Sequence, residues 1–179
     1  SKNCNDSFPI RVSGGMPNGV VQFSTVGCSV TPLSGTVDTP FLVTVNSVGS
    51  YSLQASMSGD ISYMDTESRR LSGTSGKAMQ NKLSLENWQE AATTGSSFDV
   101  RLIGGGGTGA SYVTTVSGCT AVRKAAQEDT YTVTVTAPVG GEYVLRATKT
   151  GDANYLAAEE QTYSGKVSHA HQKALAIDH

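Results

Sequence analysis

The chain has 179 residues, with 13 Lys+Arg against 15 Asp+Glu for a formal charge of −2. It carries no basic field to neutralise phosphates or an anionic lipid surface, so nucleic acid is not an expected partner. Its 22 Ser, 20 Thr and 20 Gly, against 16% charged and 7% aromatic residues, make a turn-rich and β-favouring composition. No apolar run approaches the roughly 20 residues a membrane-crossing helix needs, and membrane insertion is not expected.

Read in chain order, the polar opening Ser1-Lys-Asn-Cys4-Asn-Asp-Ser7 shows no apolar alternation. Phe8, Ile10 and Val12 then fall on alternate positions, as the inward residues of a half-buried strand do. Gly14-Gly15 and the turn signal Met16-Pro17-Asn18-Gly19 follow. Phe41, Val43, Val45 and then Tyr51, Leu53, Ala55 alternate in the same way around the turn glycine Gly49. From Phe98 onward the series starts again. Phe98-Asp-Val100-Arg101-Leu102 answers Phe8 to Val12, and Gly104-Gly105 answers Gly14-Gly15, both at an offset of 90. Gly27-Cys28 matches Gly118-Cys119 at 91. Tyr51, Leu53 and Ala55 match Tyr143, Leu145 and Ala147 at 92, and Gly59-Asp60, Gly73 and Gln80-x2-Leu83 match Gly151-Asp152, Gly165 and Gln172-x2-Leu175 at the same offset. Two repeats of one unit of about 90 residues fill the chain, and a repeat of this kind sets the architecture before any single strand does.

The inward positions are held between the repeats while outward neighbours drift, from Ser52 to Val144 and from Gln54 to Arg146. Val43, Val45, Leu53, Ala55 and Val133, Val135, Leu145, Ala147 are therefore the expected core. The best helical candidates are short, near 84–92 and 122–127. About seven short strands per repeat, with a turn signal every 8–12 residues, predict an all-β chain of two tandem immunoglobulin-like antiparallel sandwiches. The expected organisation is 1–81 for repeat one, apparently lacking its first strand, 82–172 for repeat two, and 173–179 as a tail strand matching the start of a further repeat.

The second repeat resembles the immunoglobulin-like tandem repeats of large bacterial surface and secreted proteins. The likeness rests on Gly104-Gly105-Gly106-Gly107-Thr108-Gly109, on Gly141-Glu-Tyr143-Val-Leu145-Arg-Ala147-Thr-Lys149, on Gly151-Asp152-Ala153-Asn154-Tyr155-Leu156-Ala157-Ala158 and on Gln172-Lys-Ala-Leu175. The first repeat is a looser match, with Ile61-Ser62 in place of Ala-Asn. Some related repeats carry a second cysteine where this chain has Tyr51 and Tyr143, which leaves Cys28 and Cys119 without that partner. The resemblance implies an architectural or adhesive module at the cell surface or outside the cell, with no chemistry of its own.

No catalytic constellation, cofactor site or metal site is expected from the residues. Gly104, Gly106 and Gly109 satisfy G-x-G-x-x-G, but Ser111-Tyr-Val-Thr-Thr-Val116 after them reads as a strand where a phosphate site needs a helix. Asp60 and Asp152 each supply one carboxylate, against the six to eight oxygens calcium takes. Glu159-Glu160 point to opposite faces if they lie on a strand, and His169-x-His171 has no third ligand nearby in sequence. Asn5-Asp6-Ser7 fits a glycosylation sequon. Cys28 and Cys119 read as small buried hydrophobes, while Cys4, in its polar stretch, is the candidate for a disulfide within a domain or with a neighbouring chain.

Two function classes remain. The first is a structural module of a filament, stalk or surface protein, in which Gln80, Asn81, Lys82 and Leu83 form the seam between repeats. Leu175, Ala176 and Ile177 are then an assembly strand for a further copy, joined covalently or by strand addition. The expected partner is the chain itself, head to tail. The alternative is an adhesin module binding a carbohydrate or protein, for which exposed aromatics would have to cluster. Trp88 is the only tryptophan, and Tyr51, Tyr63, Tyr143 and Tyr155 fall on repeated positions expected in the core.

Overall fold

The structure is a computed structural model that describes residues 1–16, 19–32, 34–125 and 127–170. The Pro17-Asn18 centre of the turn signal, His171, His179 and the tail 173–179, with Leu175, Ala176 and Ile177, lie outside the described residues. Among those described the chain is all β. It divides into unit 1, Ser1–Ala78 with Ala153–Leu156, and unit 2, Met79–Asp152 with Ala157–His179.

Unit 1 contains β1 (Lys2–Asn3), β2 (Ser7–Arg11), β3 (Val20–Val26), β4 (Cys28–Thr31), β5 (Ser34–Thr36), β6 (Pro40–Val45), β7 (Gly49–Met57) and β8 (Arg69–Gly76). One sheet runs β1-β8-β7-β3-β5 and the other β2-β6-β4. All pairs are antiparallel except β1 with β8. Ala153–Leu156 joins this unit through Ala78 N–H donating to Asn154 O at 2.8 Å and Leu156 N–H donating to Ala78 O at 2.9 Å.

Unit 2 contains β9 (Ser84–Glu86), β10 (Ala91–Thr93), β11 (Ser97–Ile103), β12 (Ser111–Ser117), β13 (Cys119–Arg123), β14 (Thr130–Val135), β15 (Glu142–Lys149) and β16 (Gln161–Ser168). Its sheets are β10-β16-β15-β12 and β13-β14-β11-β9, again with one parallel pair, β10 with β16. In both units the chain switches sheets at a glycine, Gly27 and Gly118, and the cysteine that follows turns into the core.

The period of two in the sequence is the period of burial. Along β14 the outward Thr130, Thr132 and Thr134 alternate with buried Tyr131, Val133 and Val135. Phe41, Val43 and Val45 on β6 do the same. Each core lies between its two sheets: Val43, Val45 and Leu53 meet in unit 1, and Val133, Val135, Leu145 and Ala147 in unit 2, each at most 3% exposed. Ala55 is half-buried against the first cluster.

Three expectations are corrected. Residues 84–92 hold strands β9 and β10, not a helix, because Leu83 and Leu85 alternate into the core and Asn87 has a positive φ that no right-handed helix accommodates. Residues 122–123 complete strand β13 for the same reason of edge pairing with β14. The polar opening of unit 1 holds a short strand, β1, which pairs Lys2 with Ser75 and Asn3 with Gly76 as β10 pairs Ala92 and Thr93 with Val167 and Ser168; β1 is thus the counterpart of β10 and not of the strand at 82–85 that unit 1 is expected to lack. Only main-chain groups make that ladder, so it needs no apolar alternation. Tyr63, expected in the core, is 54% exposed in a turn.

Candidate functional site

The two units differ most at one sheet edge. In unit 2, β9 lies along β11, pairing Arg101 with Glu86, Leu102 with Leu85 and Ile103 with Ser84. Among the described residues the corresponding strand of unit 1, β2, pairs with β6 alone, and its sheet has three strands where unit 2 has four. The consequence is visible in burial. Val100 and Leu102 of β11 are sealed at 0% and 5% exposure, whereas their counterparts Ile10 and Val12 are only half-buried.

The lead into β9 is fastened to the glycine loop after β11. The Gly105 N–H donates to Asn81 O at 3.2 Å, and the Gly106 N–H donates to the Gln80 side-chain carbonyl Oε1 at 3.0 Å. The other end of that amide, Gln80 Nε2, donates to Thr150 O at 2.9 Å. Leu83 is fully buried, and Tyr163 donates its hydroxyl to Leu83 O at 3.2 Å. The backbone of this segment runs so close to Gly104 that a Cβ there would stand 2.2 Å from Lys82 O. Gln80, Asn81, Lys82 and Leu83, read from the sequence as the seam between repeats, are thus held on the glycine loop of unit 2.

The same loop exists in unit 1, where the Met57 side chain lies against Gly15, with Cε and Sδ 3.0 Å from where a Cβ would stand. Gly14 and Gly15 hold φ of 86° and 81°, close to the 93° and 72° of Gly104 and Gly105. A Cβ on Gly14 would meet no atom within 4 Å. Beside it opens a cleft of about 320 Å³, bordered by Val12, Gly14 and Met57 and by the polar Thr66, Glu67 and Arg69. The loop's role was not evident from glycine content, which reads as a hairpin turn or bulge. The signal that points to it is the pairing of two repeats, Gly-Gly at an offset of 90 and Gln-x2-Leu at 92.

The remaining sequence candidates are engaged locally. Asp60 Oδ1 accepts from the Ser62 and Tyr63 N–H groups at 2.8 and 3.0 Å, and Asp152 Oδ2 accepts from the Thr108 N–H at 2.6 Å. Glu160 pairs with Arg146 at 3.0 Å on the surface. No cluster of three or more His, Cys, Asp or Glu placed to hold a metal is found among the described residues. Cys4, Cys28 and Cys119 are buried free thiols, Cys4 at 2% exposure with its N–H donating to Gly76 O. Burial pushes the Cys28 and Cys119 thiols above their ordinary range, and each thiol donates to a main-chain carbonyl, Cys28 to Ser52 O and Cys119 to Val144 O. At neutral pH they are thiols, not thiolates.

No protein-family model matches the chain, and no curated protein matches it. Among solved structures the chain is similar to domains 1–6 of the surface layer protein SbsC, with a TM-score of 0.41 and 16% sequence identity. That match takes in 85% of this chain and 20% of the other, so the chain spans about one fifth of that protein's length.

Proposed function

We propose that this chain is a structural repeat module of an extracellular or cell-surface filament, stalk or layer. In this reading its two immunoglobulin-like repeats, 1–81 and 82–172, continue head to tail into further copies. The continuation is a longer covalent array or the addition of the tail strand 173–179 to a neighbour. The observation that carries the reading is the repeat: two like all-β units follow each other at offsets of 90 to 92, each a pair of sheets around its own core. An open strand edge leaves a row of main-chain donors and acceptors unpaired, and adding a strand satisfies them. Such a contact joins two different surfaces, and a head-to-tail contact that does not close propagates into a fibre. The module supplies spacing and stiffness, and no cofactor belongs to it.

Negative-stain microscopy of the native material tests the reading, together with labelling of intact cells for surface exposure. Filaments, stalks or a lattice with a repeat set by this unit are expected. Discrete compact particles that bind a glycan or a protein ligand as monomers overturn it in favour of an adhesin module.

A further inference from the structure

We infer that β12 of unit 2 is a docking edge for β12 of a second copy of this chain, the two strands lying antiparallel about a two-fold axis at Thr114. The contact is separate from the head-to-tail reading, because a two-fold contact closes on itself and joins modules side by side. Eight strands stand at the edges of the four sheets among the described residues. Exposed edges are blunted by short length, charge or proline, and seven of these eight follow that rule. β1, β5, β9 and β10 have two or three residues and β4 has four. β2 carries Pro9 and Arg11, and β13 ends on Arg123. The exception is β12, which runs seven residues, Ser111-Tyr-Val-Thr-Thr-Val-Ser117, with neither a charge nor a proline. Its one irregularity is a bulge between Thr115 and Ser117.

Unit 1 covers the start of the matching edge and unit 2 does not. There β5 lies along residues 20–22 of β3, the strand that corresponds to β12. In unit 2 the chain turns straight from β13 into β14, with the Lys124 N–H donating to Thr130 O at 2.9 Å and the Thr130 N–H donating to Gln127 O at 3.3 Å, and no described segment pairs with the outer side of β12. On the side facing β15, the Thr150 N–H donates to Ala110 O at 2.9 Å. Main-chain groups alternate sides along an antiparallel strand, so those of Tyr112 and Thr114 also face β15, while those of Ser111, Val113 and Thr115 turn to the open side. The Tyr131 hydroxyl stands at the start of that side, donating to Ser111 O at 3.3 Å beside the Val113 N–H. Val113 O and both main-chain groups of Thr115 lie beyond it. About a two-fold axis at Thr114, Thr115 of each copy opposes Val113 of the other, and the Thr115 N–H donates to that Val113 O. Tyr112 then opposes Val116 and Thr114 opposes itself, an aromatic with a β-branched residue and threonine with threonine, both favourable cross-strand pairs. Tyr112 and Val116 are free to take part, at 50% and 52% exposure. The lack of charge fits a second copy as occupant, since a charged side chain on the axis would face its own like.

Charge exchange at the axis tests the pairing in the full chain, by analytical sedimentation over a range of concentrations. Thr114 is exposed, and Arg146 opposite it on β15 is paired with Glu160, so Thr114→Lys and Thr114→Glu alter no buried side chain. Wild type is expected to pass from monomer to dimer as concentration rises. Each variant alone should lose that dimer over the same range, because like charges meet across the axis, and an equal mixture of the two should regain it as a mixed dimer. Circular dichroism checks that each variant keeps its sheets. If either unfolds, hydrogen exchange of wild type decides. The Thr115 amide should then exchange more slowly as concentration rises, and a rate independent of concentration overturns the edge. A wild type that stays monomeric overturns it as well, as do dimers that persist unchanged in both variants. Folded variants whose mixture gives no mixed dimer overturn the pairing of Thr114 with itself. Head-to-tail continuation runs along the chain direction and is decided separately, by microscopy of the native material.

Discussion

Gly165 on β16 lies directly against the ring of Tyr143 on β15: a Cβ at that glycine would stand 2.3 Å from Tyr143 Cζ. The ring is fully buried, and its hydroxyl donates to Gln89 O, so it has little freedom to withdraw. Trp88 and Phe98 pack against it, with Trp88 at 5.4 Å between ring centres, and Tyr163 packs in turn on Trp88. Gly73 and Tyr51 form the equivalent pair in unit 1, where the nearest approach, 2.6 Å, is to the hydroxyl at the far end of the side chain.

Gly165→Ala therefore overpacks a site that cannot yield and should cost about 1–3 kcal/mol. Gly73→Ala should cost less, because the Tyr51 ring is 9% exposed and its tip can move toward solvent. Thermal unfolding of the two variants checks the ranking. Equal losses would refute the argument that the locked hydroxyl decides it.

Truncation at matched core and edge positions should separate in the same way. Leu145→Ala removes a side chain with no exposure and should cost about 2–5 kcal/mol. Val12→Ala, at the open edge, should cost under about 1 kcal/mol in the isolated chain. Denaturant titration gives both values, and a large loss at Val12 would mean that its edge is already covered.

Gly104→Ala and Gly14→Ala share the strain of a positive φ, so their difference isolates close approach. In unit 2 the new methyl meets Lys82 O at 2.2 Å and must displace β9, whereas in unit 1 it meets nothing within 4 Å. Gly104→Ala should be the more destabilising of the two, with Leu83 losing its hydrogen-exchange protection. Similar effects at both sites would show that backbone strain alone governs the loop.

The three thiols should be silent toward an aromatic disulfide reagent at neutral pH and react fully in denaturant, since all three are buried. Burial raises the Cys28 and Cys119 thiols above 9.0, and the Tyr131 and Tyr143 phenols above 10.0. The unfolded chain loses these protons first. Stability is therefore complete below about pH 9 and falls as pH climbs through the ordinary thiol and then the ordinary phenol range. Melting temperatures from pH 7 upward should decline from that point, and Tyr143→Phe should flatten the upper part of the decline. A melting temperature that holds steady through pH 10 would contradict the assignment.

What could be read from the amino-acid sequence was whatever is periodic. Alternation of Phe41, Val43, Val45 and of Tyr131, Val133, Val135 determined strands and their inward faces, because a strand's side chains alternate faces whatever it pairs with. The offsets of 90 to 92 determined that two like units follow each other. Tertiary structure alone decided what depends on main-chain pairing or close approach. The strand at Lys2–Asn3 has no apolar signature because its pairing with β8 uses only backbone groups. Residues 84–92 looked helical until Leu83 and Leu85 were drawn into the core beside β11. Gly14 and Gly104 look alike in sequence. One faces open space and the other a carbonyl at contact distance, a difference set by whether a strand lies on the edge beside it.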